Sequence, residues 1–206
     1  KFSGYYDVSG RILFKHPEGK HNGEFLMHIS SSSEMKLRIF APIIGSLIYE
    51  LRVEPEKFLV LNYQEKNYVL EKNSWEARQN WLGMDLSLDE LRWLLIGRLP
   101  LETQLWKRKK LSTGELQLAQ NTTEIRISYN SVGYIDSINK FREGLQEYKA
   151  KITKYQKANE SFFPKKVHIE DYTGKNLWMM YISELNVVSG SMKKLDFNPP
   201  NDLKPL

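Results

Sequence analysis

The sequence predicts a mainly β domain of antiparallel strands with two short helices set into its middle. Two observations carry this. Short alternating runs rich in Tyr, Ile, Val, Phe and Leu, separated by turn residues at hairpin spacing, fill the first third of the chain and return after the middle. Between them the apolar period switches from two to that of a helix, and no intervening helix is long enough for a parallel crossover.

Taken in order, residues 8–15 form a strand that turns through Pro17, Glu18 and Gly19 and returns over 23–30. Four serines, 30–33, mark the next turn before a strand at 36–41, and a Pro-Ile-Ile-Gly break separates it from 46–53. Glu54, Pro55 and Glu56 turn into 57–63 and 66–70. Ser74 caps a first helix, and Gly83 stops it. Ser87, with Glu90 three residues on, makes a capping box for a second helix carrying the stripe Leu88, Leu91, Leu94 and Leu95, ended by Gly97 and Pro100. Strands resume at 116–120, 124–129, 132–137, 148–155, 166–170 and 176–185. The segment from Phe141 to Tyr155 also fits a helical spacing, but Tyr148, Ala150 and Ile152 alternate, and we read it as strand. The tail 191–206, rich in Pro, Asn and Lys, is expected to be a poorly packed surface extension.

With 206 residues, 41% of them hydrophobic, the chain can bury one sizeable core, and a single domain over 1–190 is expected. No apolar run is long enough for a membrane-spanning helix. The absence of cysteine excludes disulfides, thiolate metal sites and cysteine nucleophiles. The net charge of +5 attracts anionic partners, whether nucleic acid, lipid headgroups or an acidic protein, without choosing among them.

Catalytic signals are thin. The four histidines, His16, His21, His28 and His168, stand in no metal-binding or nucleophile motif, and His16 and His21 flank the first turn. The pair Glu170 and Asp171 precedes a turn, where acidic residues serve solubility. We expect no enzyme, metal or cofactor. The basic block Lys107, Arg108, Lys109 and Lys110 beside Trp106 lacks the interleaved aromatics of single-strand readers and is expected to be a solvated loop, not a nucleic-acid site. The sharpest local anomaly is Pro42, Ile43, Ile44 and Gly45, which puts two isoleucines where a turn is ordinarily polar.

The stretch W-L-G-M-D-L-S-L-D-E-L-R-W-L-L-I-G-R-L-P, residues 81–100, resembles the signature helix of the LolB family of outer-membrane lipoproteins. Other segments fall in the matching order: Gly10 and Arg11 resemble the opening G-R strand, L-R-I-F-A-P-I-I-G-S at 37–46 a strand with a protruding loop, F-F-P-K-K-V-H-I-E-D at 162–171 a late turn into a strand, and 177–187 the closing run. The resemblance spans roughly residues 8–188 and implies an incomplete antiparallel β-barrel of about eleven strands around an apolar cavity, closed by two or more short helices. On that reading Leu37, Phe40, Leu51, Leu91, Trp93, Leu94, Leu95 and Leu99 are candidates to line a lipid or acyl cavity. The helical leucines can equally fill a core.

The resemblance further implies that the loop Pro42, Ile43, Ile44, Gly45 enters the membrane. The partners it implies are acylated lipoprotein or another lipid, and a LolA-like periplasmic carrier. It places a monomer at the periplasmic face of the bacterial outer membrane, anchored by a lipid on a Cys outside this chain. A non-catalytic envelope scaffold with no lipid cargo is the alternative on the same fold.

Overall fold

The computed structural model describes residues 4–17, 19–30, 34–99, 106–158 and 161–206. Expected turns at Glu18 and Ser31–Ser33, and the helix stop at Pro100, lie outside them. The strands are β1 (Gly4–His16), β2 (Gly19–Ser30), β3 (Met35–Phe40), β4 (Leu47–Val53), β5 (Lys57–Asn62) and β6 (Asn67–Lys72). Then come the helices α1 (Trp75–Leu82) and α2 (Leu88–Ile96). They are followed by β7 (Lys107–Ser112), β8 (Glu115–Gln120), β9 (Thr123–Tyr129), β10 (Ile135–Arg142), β11 (Leu145–Ala158), β12 (Ser161–Asp171), β13 (Leu177–Ser189) and β14 (Lys204–Pro205). The hydrogen-bonded order is β14-β6-β5-β4-β3-β2-β1-β13-β12-β11-β10-β9-β8-β7, an open sheet whose terminal strands each pair with one neighbour. Fourteen strands are counted among the described residues, against about eleven expected.

The chain forms two compact units, one of Lys1–Leu13, His21–Asp89 and Tyr181–Leu206, the other of Phe14–Lys20 and Glu90–Met180. In the first, β2 to β5 pair in register so that Met27, Leu37, Leu51 and Val60 lie opposite one another on one face. The first three of these are buried. At Gly10 β1 lies tight against β13: a Cβ there would stand 2.0 Å from the Tyr181 carbonyl oxygen, so only glycine fits. Helix α1 starts at Ser74, whose side chain accepts from the Ala77 N–H, and ends at Gly83 with φ 75, as its cap residues dictate. Arg78 fixes the following turn, its Nε 2.8 Å from the buried Asp85 carboxylate.

The tail corrects the expectation of a poorly packed extension. β14 adds to β6 in parallel, Lys204 opposite Asn67. Leu203 packs with Leu59 and Leu61, with Phe197, Tyr63 and Tyr68 around them. β5 alternates so that Leu59 and Leu61 lie on the face opposite Phe58 and Val60, and all but Val60 are fully buried. A strand apolar on both sides needs cover on both, and the tail supplies the second.

In the second unit the ambiguous segment divides into the end of β10, a turn at Glu143 and Gly144, and the strand β11, in which Tyr148, Ala150 and Ile152 are buried while Lys149 and Lys151 between them are exposed. The same parity places Ile125 and Ile127 inside with Arg126 out. The basic block, expected as a loop, is the edge strand β7, exposed along its length and paired to β8. Its lysines hide the β pattern because both faces of this strand are polar.

Candidate functional site

The hairpin joining β3 to β4 is the most unusual surface feature of the first unit. Ala41 donates its N–H to Ser46 at 2.8 Å and accepts from Gly45 at 3.0 Å, closing the loop at its base. At the tip, Ile44 donates to the Pro42 carbonyl at 2.9 Å across Ile43, whose φ is 74. A bond from residue i+2 to i around a positive φ is the strained hand of the γ-turn. For a β-branched residue that backbone is an outlier. The side chain gains nothing in return within the fold, since Ile43 is 105% exposed and Ile44 82%. A polar or glycine tip would cost less, so the two isoleucines are displayed against both local preferences.

The second unit carries α2 against its sheet. Leu91, Trp93, Leu94 and Leu95 are all buried, and Leu99 is half-buried. The helix stop is locked to β10 and β11: Gly97 accepts the Ile135 N–H at 2.9 Å, and a Cβ on Gly97 would lie 2.7 Å from the Tyr155 ring. The Tyr155 hydroxyl donates to the Ile135 carbonyl. Burial, reinforced by the Asp136 charge, pushes its pKa far above the ordinary phenol value, so it stays a donor throughout the physiological range.

Glu90, which the sequence places three residues after the expected cap Ser87, brings its carboxylate to Lys140 of β10 at 3.1 Å, both side chains being at most 5% exposed. Lys140 was missed. Its signal in the sequence is a lysine two residues after Ile138, at a position the strand parity assigns to the inside.

In the first unit Leu37 and Leu51 share a face and are buried. Phe40 is not brought to them. It lies on the side of Lys36 and Arg38, and the Arg38 guanidinium lies over its ring at 5.9 Å. The histidines are scattered: His28 contacts Asp7, His16 stacks on Phe14, and His21 meets Tyr49 edge-on. Among the described residues no three acidic or histidine side chains cluster as metal ligands. A depression of about 220 Å³ in the second unit, where the β8–β9 and β10–β11 hairpins end, is lined by Thr122, Glu124, Arg126 and Phe141 and is too polar for an acyl chain.

These features, an open antiparallel sheet, a helix laid on it and an apolar hairpin tip, are those of the incomplete-barrel class. The family model "Outer membrane lipoprotein LolB" matches residues 5–179. The chain belongs to the LolB family.

Solved structures agree on the fold. A LolA superfamily protein from Nitrosomonas europaea has a TM-score of 0.62 at 10% identity, covering 93% of this chain and 88% of that one. An outer membrane lipoprotein-sorting protein domain from Vibrio parahaemolyticus gives 0.61 at 8% identity, with 92% and 88% covered. A DUF1329 family protein from Desulfovibrio piger gives 0.59 at 9%, with 90% and 86% covered. No curated protein matches the chain. Membership of this family supports a role in lipoprotein handling in general. Among the described residues no helix is long and apolar enough to cross a membrane.

Proposed function

We propose that this chain binds the acyl part of a lipoprotein, or another lipid, and assists its placement in the bacterial outer membrane, where a lipid anchor on a Cys outside this chain would hold it. The observation that carries the reading is the Ile43–Ile44 tip, exposed on a backbone turn that stores strain. An apolar side chain held out in this way is suited to enter a bilayer. The candidate acyl-binding surface of the second unit is the α2 stripe Leu91, Trp93, Leu94 and Leu95 with Leu99. Leu37 and Leu51 are the candidates in the first.

Each methylene removed from water contributes about 0.8 kcal/mol, so a partly buried acyl chain is held without polar chemistry. Transfer needs no covalent step. A LolA-like carrier that binds the same cargo less tightly would deliver it down a gradient of affinity.

Native mass spectrometry with lipidated and unlipidated forms of one peptide tests the cargo. Selective retention of the acylated form is expected. Retention of neither by the folded chain sinks the carrier reading in favour of an envelope scaffold. Ile43→Glu with Ile44→Glu tests the tip: an unchanged circular dichroism spectrum and weakened association with liposomes are expected, and unchanged association removes the loop from the mechanism.

A further inference from the structure

The chain's positive charge is not shared between its units. The second unit holds 18 Lys and Arg against 11 Asp and Glu, and the first 12 against 14, together the chain's 30 and 25. Strand register shows where much of the excess lies. Directly opposed residues run across six strands as Lys109, Gln117, Arg126, Asn139, Lys149 and Glu170, all on the face opposite Ile125, Ile127, Ile138 and Ile169. Neighbouring rows add Lys107 and Lys151, and Lys154 stands directly opposite Lys166.

Like charges placed opposite one another on a sheet destabilise it. The carboxylates on this face are few. Glu124 is engaged by Arg126, Glu170 by Lys149 at 3.1 Å, and Glu115 accepts from Ser112. Lys107, Lys109, Lys151 and Lys154 are exposed and have no carboxylate partner among the described residues. Lysines on β7 are accounted for as guards against edge pairing. That explanation does not reach Lys149, Lys151, Lys154 and Lys166, which sit on interior strands.

We propose that this solvent face of strands β7 to β12 is an electrostatic docking surface for an anionic lipid bilayer. At about 4.8 Å per strand the six strands span roughly 24 Å. Six of the seven cations named are lysines, with Arg126 the exception. Lysine is a hydrated point charge suited to a diffuse sheet of headgroups, whereas the forked Arg and the aromatics that anchor protein interfaces are scarce here. The aromatics that stack nucleic-acid bases are also nearly absent, since Phe141 is covered by Arg126 at 4.8 Å. The attraction acts within a Debye length of the surface. It extends the membrane role of the hairpin tip but can fail separately from it.

The test is sedimentation of the chain with vesicles of phosphatidylcholine alone and of equal parts phosphatidylcholine and phosphatidylglycerol. Neutralising Lys109, Lys151 and Lys154 to Gln is expected to weaken binding to the anionic vesicles by about tenfold or more and to leave binding to the neutral ones unchanged. The tip variant weakens both. For the unmodified chain, raising the salt from about 0.05 to about 0.5 M should abolish the preference for anionic vesicles. A preference that survives salt or the triple substitution overturns the proposal. So does salt-sensitive capture of poly-glutamate without any anionic-vesicle preference, which would assign the face to an acidic protein.

Discussion

Replacing Ile43 by glycine separates the stability of the hairpin from its use. Ile43 occupies φ 74 and is fully exposed, so glycine removes no packing and relieves an unfavourable backbone. An L-residue in the left-handed region costs about 1–2 kcal/mol, and glycine gives back roughly 0.5–1 kcal/mol as added freedom in the unfolded chain. Ile43→Gly is therefore expected to leave the protein as stable as before or up to about 1 kcal/mol more stable. Membrane association moves the other way. Burying an isoleucine side chain contributes about 1.5–3 kcal/mol, so its loss from a tip that enters the bilayer should weaken vesicle binding by roughly tenfold to a hundredfold. Urea unfolding and vesicle sedimentation on the same preparation read the two effects. A destabilised variant would mean that Ile43 supports the fold, and unaltered sedimentation would mean that the strained display has no membrane role.

Other residues give further expectations. Lys140→Met should destabilise the second unit by about 3–5 kcal/mol, because it takes from the buried Glu90 carboxylate its opposite charge, while Lys140→Met with Glu90→Leu should recover most of the loss; chemical denaturation of the parent, the two single variants Lys140→Met and Glu90→Leu and the double variant reads this, and additive losses would contradict it. Tyr155, and less strongly Tyr49, Tyr63 and Tyr129, have phenol pKa values raised chiefly by burial. The unfolded phenols ionise from pH 10 upward while the folded ones resist, so stability is intact below pH 10 and falls as pH rises beyond it. Tyr155→Phe should flatten that alkaline fall in melting temperature, and a slope equal to the parent's would exclude Tyr155 as its source. Leu203→Asp places a carboxylate on Leu59 and Leu61 and should cost about 3 kcal/mol or more, whereas a tail that merely lies on the surface would tolerate it in a thermal melt.

Much of the fold was legible because strand and helix leave different periods. The alternation of β9 and β11, the caps Ser74 and Gly83, and the leucine stripe of α2 are local signals, and each element formed where its pattern stood. The Ile43–Ile44 tip was legible for the same reason, as apolar residues in a turn. β7 was not, since a strand whose two faces are both lysine-rich carries no alternation. The tail was misread because composition reports local preference, whereas its packing follows from Leu59 and Leu61 needing cover on their side of β5.

The sequence by itself determined most of the strands, though not β7 or β14, where the two helices lie and which turn displays apolar residues, because these depend on neighbours within a few positions. Only the tertiary structure decided that Phe40 turns away from Leu37 and Leu51, that Glu90 meets Lys140, and that cations from β7, β9, β11 and β12 share one face. Those facts depend on strand register and order, which bring together residues up to 59 positions apart (Lys107 and Lys166). No local preference encodes such a distance. It is set by the joint burial of apolar faces and the pairing of backbone groups across the whole sheet.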